Sequence, residues 1–559
     1  MRYGMRPGVY KWRVPVVFQR EGASVERFSD PLDMLKYKDD VTSPRKRSPR
    51  FYNSSLPVVV DCMQKRCFKE CTEPLYEQNR EGITRCFGPS ALKGITFKNA
   101  RSQGGLGGAV LSRVRNIDFQ QRRRVLIEDC VFVQNNAYGG NGGALFFSGI
   151  SERGGITISR SRFFNNTVWG GSGGGLAATL AKIDLYNVTF EGNSAFKKNV
   201  SGSGGDTSNT AMSRRRLNRQ QNETLTLGRI DESSQGNGGG LMLLDQVVLN
   251  IYGLCMSKNY ANESGGGLYS FGSFMSLWHT ETTRLNCSGG NGYSAVFADN
   301  EALIGGTLFA SKTFLNSKTD VLDQRNQGAD FLFANSKALA DGGGLACIGS
   351  SFYLEKVTIL QNHAGHASTR KQGSGGGIYG VLCKLELVDA IVKSNTAAAK
   401  GAAIFLESLS GTSILQTRIE SNVAGDTGGG IFAAYMEVFK LGDGSVLAYN
   451  DAAFGGGLYI EDAWTTPLIQ SCNFLFNHAR DGGGGGILWE RTPPSFGENV
   501  HLDGNTAQYG DNIASGITEL ISSVNETIST RNRDPLNPQI QVSIKDYYGN
   551  IVRRRNDAT

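Results

Sequence analysis

The feature that most constrains this chain is a short phrase that keeps returning. It runs asparagine, any residue, alanine, a variable loop, and in most copies a glycine run closing on an aliphatic residue. Its asparagines are Asn135, Asn193, Asn259, Asn300, Asn362, Asn395, Asn422, Asn450, Asn477 and Asn505, with Asn165 and Asn335 as imperfect copies. From Asn395 to Asn505 the successive intervals are 27, 28, 27 and 28 residues. The closing runs include Gly142-Gly143-Ala144-Leu145, Gly375-Gly376-Gly377-Ile378 and Gly455-Gly456-Gly457-Leu458. A fixed period of this length signals stacked repeats, each burying its apolar face only against its neighbours.

The residues before each asparagine alternate with period two, as in Ile183-Asp184-Leu185, Val188-Thr189-Phe190 and Leu385-Glu386-Leu387. Such alternation gives short strands with one inward face. Two or three strands plus turns fill one period, which is one coil of an all-β, single-stranded parallel β-helix. The 73 glycines argue against helical repeats, since each costs about 1 kcal/mol in a helix interior. Leucine-rich repeats are excluded by the missing leucine pattern. We expect about 12–13 coils between residues 92 and 517, a rod on the order of 60 Å long at the usual strand spacing. Inward asparagines stacked amide to amide would satisfy polar groups that otherwise cost about 1–3 kcal/mol each when buried unpaired. The asparagines and glycines therefore read as scaffold.

The pairing of Phe132-x-x-Asn135 with Gly142-Gly143-Ala144-Leu145 resembles the repeat of the polymorphic outer membrane protein family of chlamydiae. Phe190-x-x-Asn193, Phe297-x-x-Asn300 and Phe474-x-x-Asn477 match the first half of that repeat. The resemblance covers about three quarters of the chain. It implies a right-handed parallel β-helix displayed at a surface, used in adhesion by some members. The membrane barrel that ends the chlamydial proteins has no counterpart after Asn512.

Residues 1–91 are expected to form an N-terminal region with a cysteine cap, in which Cys62, Cys67, Cys71 and Cys86 pair as disulfides, with zinc as the rival reading. Cys130 and Cys472 read as buried thiols, and Cys347 and Cys383 as neighbours on adjacent coils. Residues 196–237 and 271–292 read as loop insertions. Residues 518–559 form a C-terminal tail whose Asp546-Tyr547-Tyr548-Gly549-Asn550 looks like the opening hairpin of an immunoglobulin-like domain, so the chain is expected to be part of a longer protein. No run of 18 or more apolar residues marks a membrane span, and no signal-peptide pattern stands at the start. The net charge of +7 without an aromatic-interleaved basic module gives no specific nucleic-acid site.

Sequons place glycans most accessibly at Asn199 and Asn222, whereas Asn165, as a ladder residue, is expected to be unusable. Between asparagine and glycine run, Tyr138, Trp169, Phe196, Phe454 and Tyr509 are candidate ligand-facing aromatics, a row of plates for sugar rings or a surface protein. Glu407, Glu461 and Glu490 share one outward slot three residues after a closing aliphatic, with Ala434 breaking the column. The expected function is a non-catalytic, extracellular or cell-surface rod for adhesion or ligand binding, with no catalytic residue, metal or cofactor. Its partners would be glycans or surface proteins. The alternative is a polysaccharide lyase or glycoside hydrolase working through Glu461 and Glu490.

Overall fold

A computed structural model describes residues 90–103, 106–114, 125–148, 155–198, 235–278, 293–318, 331–365, 373–407, 411–523 and 541–552, together with short backbone strands before residue 61. The described residues form a right-handed parallel β-helix without helices. Four strands, not two or three, make each coil. They build four long sheets of 15, 13, 13 and 12 strands, here called I, II, III and IV in chain order around a coil. One full turn is Leu145–Ser148, Ile156–Ser159, Arg162–Phe164 and Thr167–Trp169.

Sheet I begins with two strands of a different kind. Tyr10–Val14 pairs antiparallel with Val110–Val114, and Val58–Val60 pairs antiparallel with Tyr10–Val14. The sheet I edge of the first coil is thereby covered, which removes an open template for pairing. Cys62, Cys67, Cys71 and Cys86 lie outside the described residues. At the other end, Ile517–Ser522 pairs antiparallel with Val542–Asp546. The buried Asp546 carboxylate accepts from the amides of Ser515, Tyr548 and Asn550. Trp489 Nε1 donates to Tyr548 Oη at 3.1 Å, which holds the tail's turn against the rod.

The coil stack is held from inside by one column of amides. Asn135 Nδ2 donates to Asn166 Oδ1, Asn166 to Asn193, Asn193 to Asn259 and Asn259 to Asn300, all at 2.9–3.0 Å. The column resumes through Asn362, Asn395, Asn422, Asn450, Asn477 and Asn505. Each second Nδ2 proton goes to a carbonyl one coil back, as from Asn135 to Phe97. Each Oδ1 also accepts the backbone N–H of the residue before it in the column, as Asn193 does from Asn166. Every amide is thus satisfied while fully buried, which is the condition for keeping polar groups in a core.

Two expected rungs are corrected. Asn166, not Asn165, enters the column, and Ser336, not Asn335, fills its gap, its Oγ accepting the Asn300 backbone N–H and its own backbone N–H donating to Asn362 Oδ1. The residue just before each rung turns the chain with positive φ, and Asn165 (51°) and Asn335 (52°) hold that place. Asparagine tolerates this conformation better than most residues, so both are outward turn residues. Three residues before the rung, Phe97, Phe132, Phe163 and Phe190 stack in the core with ring centroids 4.5–4.8 Å apart.

The glycine runs are forced by contact between coils. Gly142 has φ of 81°, and a Cβ on Gly143 would sit 2.0 Å from the Gly174 carbonyl oxygen of the next coil. The second expected insertion begins too early, because Leu268–Phe271 and Phe274–Trp278 are ordinary strands of sheets I and II, and residues 279–292 lie outside the described residues. Asn422→Ala should lower the free energy of unfolding by about 3 kcal/mol, since it orphans partners on both sides. Asn165→Ala should cost about 1 kcal/mol, the penalty of positive φ alone. Denaturant titration of the two variants checks the contrast.

Candidate functional site

Alternation in sheet I sends the first and third residues of each strand into the core and the second outward. The outward second positions are nevertheless buried, in two clusters running along the sheet. One holds Phe146, Met242, Tyr269 and Phe309, and the other Phe405, Phe432, Tyr459 and Leu488. Tyr379, Phe405, Phe432 and Tyr459 stack in file with centroids 5.0, 5.0 and 5.4 Å apart. Sheet I therefore carries a thin second apolar layer on its outside.

Beside this layer, near the C-terminal end of the rod, the repeat breaks. Strand Leu458–Ala463 has six residues where most of its sheet has four. Its pairing jumps from Ala433↔Ile460 to Ala434↔Asp462, leaving Glu461 as the extra residue of a bulge. Bulges re-aim side chains and are over-represented next to active sites. Glu461 meets Lys400 Nζ at 3.6 Å, and the same ammonium lies 4.3 Å above the Phe432 ring. One coil on, Glu490 accepts a hydrogen bond from Tyr459 Oη. Burial and the Glu490 carboxylate keep the Tyr459 phenol protonated well above the usual tyrosine range, with Glu461 and Asp426 adding to the effect. Asp462 accepts from Arg491 Nη1 and Thr492 Oγ1, each at 3.2 Å.

The two carboxylates of neighbouring coils thus have different partners, an ammonium for Glu461 and a neutral phenol for Glu490. Glu490 is exposed and Glu461 half-buried. The third glutamate of the outward slot, Glu407, pairs with Ala434 and stands apart from them. Asp341, half-buried at a glycine-run loop, accepts from the Ser374 backbone N–H at 2.8 Å, and desolvation raises its carboxyl above the ordinary range. Among the described residues no group of three or more His, Cys, Asp or Glu side chains is arranged to hold a metal.

The five aromatics do not form one row. Tyr138, Trp169 and Phe196 are register partners at the outer end of sheet IV. Trp169 and Phe196 stack with centroids 4.4 Å apart and planes 16° from parallel, so they spend these faces on each other. A stack along the rod axis offers edges, not the ring faces that a sugar would cover. Phe454 and Tyr509 belong elsewhere, half-buried against the outer layer of sheet I. Their rings lie where a Cβ on Gly482 or Gly483 would fall, 2.1 Å from Phe454 and 2.4 Å from Tyr509. The expectation of a row of sugar-binding plates is corrected on that ground.

Cys347 and Cys383 form a disulfide between neighbouring coils, Cα atoms 6.3 Å apart, inside the core. Cys130 and Cys472 are buried thiols, and burial pushes Cys472 up to about 12. His363 and His478 each bond the threonine above, Thr396 and Thr506. Asn199 and Asn222 lie outside the described residues. Lys400, Tyr459, Asp462 and Arg491 escaped sequence reading. The one available signal was the longer interval between closing aliphatic and next strand around Glu461.

No family model and no curated protein sequence matches the chain, so the chlamydial-type repeat resemblance rests on its motifs alone. Among solved structures, the polygalacturonase from Erwinia carotovora ssp. carotovora is similar at 11% identity and a TM-score of 0.25, over 76% of this chain and 97% of that one. The likeness extends to the β-helix and assigns neither residue nor substrate here. The expectation that the chain is not an enzyme is withdrawn against this finding, whose own protein is an enzyme by name; the likeness assigns no activity to this chain. Phe454→Ala should cost about 2–3 kcal/mol of stability through lost packing, and Trp169→Ala under about 1 kcal/mol. Thermal and denaturant midpoints measure both.

Proposed function

We propose that the chain is a carbohydrate-active β-helix whose working carboxylates are Glu461 and Glu490. The observation that carries this reading is the bulge at Glu461. It interrupts an otherwise regular strand and sets two acidic side chains of adjacent coils, with Lys400 and Tyr459, on the outer rim of sheet I. Glycoside hydrolysis adds water across the bond between anomeric carbon and leaving oxygen. One carboxylic acid protonates that oxygen, and a second carboxylate attacks the carbon or takes a proton from the incoming water. Tyr459 orients Glu490 through its hydroxyl, and Lys400 holds Glu461 in place.

Charge narrows the substrate. Glu461, Asp462 and Glu490 stand there with Lys400 and Arg491 as the cations that the ion pairs name. Three carboxylates against two cations disfavour a polyuronate, so the substrate is a neutral, hydroxyl-rich glycan. Wild type should release reducing ends from a panel of neutral polysaccharides and leave polygalacturonate largely intact. Glu461→Gln and Glu490→Gln should each lower that rate by about 100-fold or more without changing the circular dichroism spectrum. Undiminished cleavage by both variants, or none by wild type, overturns the reading.

The repeat resemblance adds display at an extracellular surface, where adhesion through bound glycans would use the same rim. The Cys347–Cys383 bond supports this location, because disulfides persist in oxidising compartments. Alkylating the denatured, unreduced chain should label Cys130 and Cys472 and spare Cys347 and Cys383 until reductant is added. Peptide mass spectrometry reads the pattern.

A further inference from the structure

We propose that Asn165 carries an N-linked glycan at its Nδ2 and that Asn187, in an equally complete sequon, does not. The inference comes from the competition of two adjacent asparagines for one inward position. The amide column takes Asn166, whose Nδ2 donates to Asn193 Oδ1 and the Phe132 carbonyl at 2.9 Å each. Had Asn165 taken that place, its nitrogen would be consumed inside the rod. Displaced by one residue, it sits exposed on the outward turn at φ 51°, at the head of the sequon Asn165-Asn166-Thr167.

What separates this turn from that of Asn187 is exposure: Asn165 is exposed and Asn187 half-buried. The residue above Asn165 in the turn column is Gly192, and a Cβ there would fall 2.3 Å from Asn165 Oδ1. The turns below and beyond carry Gln134 and Lys258 at the same place, whereas over Asn165 a glycine backbone takes the side chain's Oδ1. Asn187, in Asn187-Val188-Thr189, sits on a turn of the same backbone shape with φ 53°. Its Oδ1 is buried without a partner, pressed toward Gly253, where a Cβ would fall 2.4 Å away. A glycan on that amide would block the seating of the next coil.

The modification needs an activated sugar, a lipid-linked diphospho-oligosaccharide. Asn165 Nδ2 bonds to the anomeric carbon, the bond from that carbon to the diphosphate breaks, the lipid diphosphate leaves, and Nδ2 gives up a proton to a base. Attachment precedes folding, so the folded coil acts as a filter on which sequons yield a stable product.

The test expresses the full chain behind a cleavable leader in a eukaryotic secreting cell. Amidase removal of glycans in heavy-oxygen water marks each occupied asparagine as a labelled aspartate in peptide mass spectrometry. Label at Asn165 with none at Asn187 is expected. Asn165→Gln and Thr167→Ala should each remove the mass of one glycan, and Asn165→Gln should move the melting midpoint by less than about 4 °C. A chain retained by the cell is read by the same peptides after translation into microsomes. An unlabelled Asn165, or label at Asn187 in folded protein, overturns the proposal. The readout is independent of catalytic activity.

Discussion

The buried amide column is the interaction on which the rest of the structure depends. A coil of this size has too little apolar surface to hold its own shape, and its turns leave amides inside. The column answers both needs at once. Each rung pairs with its neighbours in two directions, so losing one disturbs three coils. It also fixes register, because an asparagine one residue out of place would drive a whole strand's apolar face outward. Glycine follows from the same geometry: coils drawn together at the amide column bring backbones too close for a side chain at Gly143 and its counterparts.

Because the interior is so strictly repeated, chemistry is left to the places where repetition fails. Sheet I shows this most clearly. For most of its length the outward positions carry aromatic and aliphatic residues that pack among themselves and under the neighbouring loops. At Leu458–Ala463 the extra residue turns Glu461 to the rim and lets Tyr459 reach a carboxylate of the next coil. The break lies on the side of the preceding coil, while the pairing toward Glu490 runs evenly through Ile460↔Trp489.

Much of the scaffold is legible in the residues themselves. Period, alternation and the inward asparagines lead to the β-helix without further help. The two misplaced rungs were also within reach: Phe163-x-x-Asn166 and Phe333-x-x-Ser336 keep the phenylalanine spacing, and Ala338 keeps the alanine two residues after the rung, whereas Asn165 and Asn335 satisfy neither. At both places the asparagine identity points to the turn residue, and the spacing from the core phenylalanine points to the rung. The aromatic loops fail for a different reason. Composition identifies Trp169 and Phe196 as rings but cannot tell whether they turn faces or edges to solvent, which depends on a partner one coil away. Lys400 lies about two coils from Glu461, and no periodic pattern announces that meeting.

The column also has a direction, since every amide-to-amide bond runs from the Nδ2 of one rung to the Oδ1 of the next, later rung. At Asn505 the donor has no further rung, and Asn512, seven residues on in the same chain, accepts it at 2.9 Å. The forward proton of the last rung is therefore spent within the chain. Asn512 thus ends the column from within the same chain, by an amide that stands outside the repeat.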